Sequence, residues 1–146
     1  MKSEPDVFSI DHLMSRLKQT EHWDGVRNYK ARNYMRAMQL GDLALFYHSS
    51  TKPPGVAGLM QITKTAGPDP SSWDPKSKYF DAKASQEKPI WSMVEVTFKE
   101  KFPQLITLDT LKALPAMADS PLVQRGNRLS ILPLTENQFK AILSLK

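Results

Sequence analysis

The sequence predicts an α+β fold, in which short strands and short helices mix without a repeating βαβ rhythm. Three observations predict it. Three helix starts are written alike, each with an apolar residue ahead of a Ser or Thr cap. Several runs between them are β-prone, and the longest alternates with period two. The 146 residues, 40% hydrophobic and 24% charged, describe one globular domain, 1–146, long enough to bury a core.

In chain order, Pro5 biases Glu4 toward an extended start. Phe8-Ser9 opens the first helix, with Ser9 as cap and Phe8 stapled onto Leu13. Asp24-Gly25 is a turn signal, because glycine accepts positive φ without a steric penalty. Asn28 caps a second helix running to about Met38, with Gly41 just past its end. Ala31, Tyr34, Met35 and Met38 face a core at helical spacing, while Tyr29, Arg32, Asn33 and Arg36 form a basic outward face.

Leu43 to His48 reads as a strand opened by Gly41-Asp42. Pro53-Pro54-Gly55 turns the chain into a strand from Val56 to Thr63. Residues Ala66 to Pro89 read as a long surface loop, a length often associated with function. From Ile90 to Phe98, Ser92, Val94, Val96 and Phe98 share one face, and Trp91, Met93, Glu95 and Thr97 the other. Ile106-Thr107 with Leu111 starts a third helix. Leu129 to Leu132 is a short last strand stopped by Pro133. Leu134-Thr135 with Phe139 starts the last helix, and Gln138 completes its capping box.

The formal net charge of +5 favours polyanionic partners. The absence of Cys excludes disulfides, thiolate metal sites and a cysteine nucleophile, and fits a reducing cytoplasm. No run reaches transmembrane length, so no membrane partner is expected. His12, His22 and His48 lack metal-ligand spacing, so no metal and no cofactor is expected. His48 and Ser49 are adjacent on a strand and point to opposite faces, which excludes them as a catalytic dyad. No phosphate-binding glycine motif is present.

The aromatics are the better lead. Flat walls with polar groups at their edge are what a planar base requires. Trp23 stands beside a turn, outside any expected element, next to a helix N-terminus where Arg27 and Asn28 offer anion contacts. Trp91, at a strand start after Lys88-Pro89, fits a pocket rim and a core equally. Tyr47 and His48 lie on opposite faces, and His48 is assigned to the pocket because Leu43, Leu45 and Tyr47 form the more apolar side. Arg128 and Ser130 share a face, open to a phosphate contact or an ion pair.

Met1-Lys2-Ser3-Glu4-Pro5, Trp23-Asp24-Gly25-Val26-Arg27-Asn28-Tyr29 and Ala31-Arg32-Asn33 resemble the EVE domain family. Phe46-Tyr47-His48-Ser49, Gly55-Val56-Ala57-Gly58, Trp91 to Val96 and Arg128-Leu129-Ser130 continue the match in order along the chain. The resemblance implies a PUA-like fold, a small mixed β-barrel with surrounding helices. It also implies an aromatic-apolar lead before Met1 that this sequence lacks, hence a start further upstream or a shortened first strand. By resemblance, Ser3, Trp23, Arg27, Asn28, His48 and Trp91 form a base pocket. Lys2, Tyr29, Arg32, Arg36 and Arg128 then hold the nucleic-acid backbone.

The expected function is a non-catalytic, monomeric, cytoplasmic domain that binds DNA or RNA and accepts a modified, for example methylated, base. The alternative is a binder or enzyme for a small nucleobase-like or anionic metabolite. On this reading Trp23 is a pocket wall whose truncation weakens binding more than folding.

Overall fold

The structure, a computed structural model, describes all 146 residues, Met1–Lys146. Its strands are β1 (Lys2–Ser3), β2 (Thr20–Trp23), β3 (Leu43–His48), β4 (Gly55–Pro68) and β5 (Ser92–Thr107). They form one five-stranded sheet in the order β1-β3-β4-β5-β2. β1 runs parallel to β3, and every other pairing is antiparallel. The helices are α1 (Ile10–Ser15), α2 (Tyr29–Arg36), α3 (Leu108–Lys112) and α4 (Glu136–Leu143).

The helix starts form as their sequences dictate. Ser9 accepts from the His12 N–H, and His12 Nδ1 accepts from the Ser9 N–H in return. Thr107 accepts from the Thr110 N–H, and Thr135 exchanges bonds with Gln138. Each cap satisfies N–H groups that the first turn leaves without a partner.

The sheet has a core on each face, as period-two strands require. Phe46 points into one, with Ile10, Leu13, Trp23, Val26, Ala31 and Met35 brought by α1, β2, α2 and the segment joining β2 to α2. Leu45 and Tyr47 point into the other, with Leu111, Met117 and Ile142 from the C-terminal segments. Long β4 and β5 are bent by register shifts, for example between Val56 and Gly58 and between Lys64 and Gly67. Gly55 lets the two backbones meet: a Cβ there would collide with the Ile106 carbonyl.

Several elements differ from expectation. β2 pairs with β5, placing Trp23 opposite Val94. Thr-Glu-His-Trp is too short and polar to announce a strand, and it forms because the β5 edge supplies the ladder. α2 stops at Arg36, where the Ala37 N–H bonds back to the Asn33 and Tyr34 carbonyls. Residues 129–132 form no strand, and the Ser130 carbonyl takes a single bond, 2.8 Å long, from the Lys2 N–H. β4 runs on to Pro68 and β5 to Thr107, past their expected ends, and the loop between them spans residues 69–91. The barrel is not closed by hydrogen bonds: β1 and β2 remain edges of an open sheet.

Candidate functional site

The unclosed seam is where the candidate site lies. Residues of both edge strands, Lys2 and Ser3 from β1 and Glu21 to Trp23 from β2, line one cleft of about 1120 Å³. The 78–79 and 122–128 segments complete its sides. A second cavity of about 30 Å³ adjoins it, sharing Lys2, Tyr47, Leu122 and Ser130.

Trp23 forms part of the wall, but not from an exposed turn. It is the last residue of β2 and only 7% exposed. Its indole meets Phe46 edge-on at 5.3 Å and Phe8 at 6.0 Å between ring centres, so the ring is packed before any ligand arrives. The expectation that it lies outside regular structure is therefore corrected: β-pairing with β5 draws it into the core, and its remaining edge borders the cleft.

The segment after Trp23 is held by a residue that sequence reading passed over. Asp69 is fully buried. Its Oδ2 accepts from the Gly25 N–H at 2.9 Å and from Arg27 Nη1 at 3.0 Å. Its Oδ1 accepts from the Ser71 N–H at 2.9 Å and from the Ser71 hydroxyl at 2.6 Å. Arg27 also donates to the Tyr79 carbonyl at 2.8 Å, the Val26 carbonyl at 2.8 Å and Ser71 Oγ at 3.1 Å. Its guanidinium is thus occupied in the fold and lies outside the cleft lining. Gly25 has φ +79, and a Cβ there would sit 2.7 Å from the Tyr79 ring. That close approach lets the 78–79 segment fold over the turn, bringing Lys78 and Tyr79 to the cleft.

The basic face of α2 is latched to the start of β5. Arg32 donates to the Ile90 carbonyl at 2.9 Å, and Arg36 to Ser92 Oγ at 2.9 Å and the Ile90 carbonyl at 3.2 Å. Tyr29 stacks on Trp91 with ring centres 4.8 Å apart and planes 24° apart, and the Arg32 guanidinium lies 4.8 Å from the Tyr29 ring. Trp91 is buried and donates its indole N–H to Asp81 Oδ2 at 2.8 Å, a bond that holds the Asp81 carboxyl below its ordinary range. Asn28 caps α2, accepting from the Ala31 N–H at 3.0 Å. None of Asn28, Tyr29, Arg32, Arg36 and Trp91 lines the cleft. Arg32 and Arg36, on the basic outward face of α2, thus also tie helix to strand.

On β3 the two neighbours point to opposite faces as expected, with Leu45 and Tyr47 in one core, but the residue that borders the cleft differs. Tyr47 reaches the cleft, and His48 does not. His48 Nε2 accepts from the Ile10 N–H at 3.1 Å, anchoring the start of α1, and its ring meets Phe46 edge-on at 5.5 Å. Tyr47 is mostly apolar surface with a polar tip, so it packs in the second core and still borders the cleft. Burial lowers the His48 pKa below its ordinary value of 6.5. The unfolded chain therefore takes up the proton first, and stability present above about pH 6.5 is lost as pH falls toward the folded pKa. The thermal midpoint should fall as pH drops below about 6.5, and His48→Gln should reduce that fall.

The cleft is basic. Lys2, Arg16, Lys78, Lys112, Arg125 and Arg128 line it, against Glu4, Glu21 and Asp24. Of the six ion pairs in the molecule, only Arg16–Glu21 draws a Lys or Arg from this set. Lys2 lies over the Tyr47 ring at 5.6 Å, and burial lowers its pKa, so an anion would relieve its lost hydration. Ser3 donates its hydroxyl to the Phe8 carbonyl at 2.7 Å, leaving its oxygen free to accept. Of the residues expected at a site, the fold gathers Lys2, Ser3, Trp23 and Arg128 around one cleft. It adds Tyr47, which the strand pattern had set on the apolar side, and Lys78, Tyr79 and Arg125, for which the only sequence signals were loop position and two Arg flanking Gly126-Asn127.

A small, strongly bent mixed sheet with helices on both faces and a basic, aromatic-walled cleft at its open seam is a PUA-like domain. The chain belongs to the EVE domain family, whose model matches residues 1–145. Human thymocyte nuclear protein 1 is 42% identical over 162 residues, covering 100% of this chain and 72% of that protein. A crystal structure of a Pseudomonas syringae protein matches with TM-score 0.95 and 51% identity, over 99% of this chain and 96% of that one. The human THYN1 protein in complex with 5-methylcytosine-containing DNA matches with TM-score 0.95 and 43% identity, over 99% of this chain and 94% of that one.

Proposed function

We propose that this chain is a non-catalytic nucleic-acid-binding domain that receives a methylated base, 5-methylcytosine in DNA foremost, in the cleft between β1 and β2. The observation that carries this reading is the cleft itself: five cations without ion-pair partners, Lys2, Lys78, Lys112, Arg125 and Arg128, surround one cavity bordered by Trp23 and Tyr47. Cations left unpaired around a concave site suit phosphates, and aromatic edges suit a base taken out of its stack. A methyl group adds apolar area that favours such a wall over water. The complex of the similar human THYN1 protein with 5-methylcytosine-containing DNA supports the choice of base.

Binding of oligonucleotides with one 5-methylcytosine, or with unmodified cytosine at the same position, at several salt concentrations tests this. The expected result is tighter binding of the methylated strand, with log affinity falling against log salt at a slope of about −2 to −4, for three to five phosphate contacts. Affinity without salt dependence would instead indicate a free nucleobase or small metabolite. Equal affinity for both strands would remove the methylated base from the reading.

A further inference from the structure

Within this basic cleft stand three carboxylates, and they are not equivalent. Glu21 pairs with Arg16 at 2.8 Å. Glu4 and Asp24 have no ion-pair partner. Asp24 is the more tightly placed of the two. Its neighbour Trp23 is packed in the core, and its neighbour Gly25 is bound through its N–H to Asp69 and covered by Tyr79. The side chain is short, so a fixed backbone leaves it few directions. The nearby cation that would neutralise it, Arg27, is already committed to Asp69. Desolvation and the Asp69 carboxylate raise the Asp24 pKa, so its ionised form would gain from a hydrogen-bond donor.

Resting on the reading that the cleft takes a methylated base, we propose that Asp24 reads the base edge, accepting a hydrogen bond from an exocyclic 4-amino group. An unpaired carboxylate beside an aromatic wall selects a donor edge and rejects an acceptor edge. Cytosine presents an amino donor at this position, whereas thymine presents a carbonyl acceptor. 5-Methylcytosine and thymine share the 5-methyl group and nearly the same outline, so the aromatic wall alone does not separate them. Asp24 is then the specificity-determining residue, and it acts without any covalent step.

The test is competition binding with oligonucleotides that differ only in 5-methylcytosine, thymine or cytosine at one position. The proteins are wild type, Asp24→Asn and Glu4→Gln. Wild type is expected to prefer 5-methylcytosine over thymine by about ten- to hundredfold, the range of one good edge contact. Asp24→Asn should reduce that preference to within about threefold, because an amide can turn either its donor or its acceptor to the base. Its salt-dependent binding of the thymine strand, which makes no such contact in wild type and is held by the cations, should persist and report a folded protein. Glu4→Gln should keep the wild-type preference. The assignment is overturned if Asp24→Asn keeps the preference over thymine, or if Glu4→Gln alone loses it. A wild type that does not favour 5-methylcytosine over cytosine overturns the parent reading, and the assignment with it.

Discussion

Asp69→Ala should destabilise the fold by about 3–5 kcal/mol, the cost of breaking a buried pair by removing one partner. The carboxylate is fully buried and accepts four hydrogen bonds, from Gly25, Arg27 and twice from Ser71. Its loss leaves a half-buried guanidinium and two backbone N–H groups without their acceptor. Asp69→Asn retains acceptors but no charge, so it should cost less than the Ala variant. Chemical denaturation of the three proteins measures this. The consequence extends to the cleft, because Asp69 fixes the turn that presents Asp24 and supports Tyr79. An Asp69→Ala protein as stable as wild type would show that the ion pair is offset by its own desolvation.

Trp23→Ala should cost about 3–5 kcal/mol, the range for truncating a buried Trp or Phe. The sequence alone suggested a smaller loss, since a Trp beside Asp24-Gly25 has little core to enter. The β2–β5 pairing and the contacts with Phe8 and Phe46 reverse that expectation. Trp23→Phe keeps an aromatic wall with less volume lost and should remain folded. Binding by Trp23→Phe therefore separates the two roles of the residue. Stacking on an aromatic contributes about 1–3 kcal/mol per base, and a smaller ring should retain part of it. A denaturation midpoint for Trp23→Ala near that of wild type would contradict the core placement.

What the sequence disclosed was local. The caps at Ser9, Asn28, Thr107 and Thr135 depend on side chains within three residues, so they could be read directly. The alternation in β5 was equally plain, because Ser92, Val94 and Val96 are buried in turn. β2 was invisible because its strand character comes from the neighbouring edge rather than from its own residues. Arg27, Arg32 and Arg36 looked free because their partners, Asp69, Ile90 and Ser92, lie 42 to 58 positions away. For the same reason the cleft could not be outlined: its walls come from the two ends of the sheet order and from two distant loops. Lys2, Ser3, Trp23 and Arg128 entered the candidate site through family resemblance, and periodicity alone would not have joined them.

The central claim is that the base enters at the seam between β1 and β2, and the indole N–H signals of the three Trp test it most directly. Trp23 borders the cleft, Trp91 is bonded to Asp81, and Trp73 lies outside the cleft lining. During titration with a 5-methylcytosine oligonucleotide, the Trp23 indole and the backbone amides of Ser3 and Asn127 should shift together, while the Trp91 and Trp73 indoles stay in place. A shift of the Trp91 indole with the α2 face, leaving Trp23 unmoved, would contradict the account.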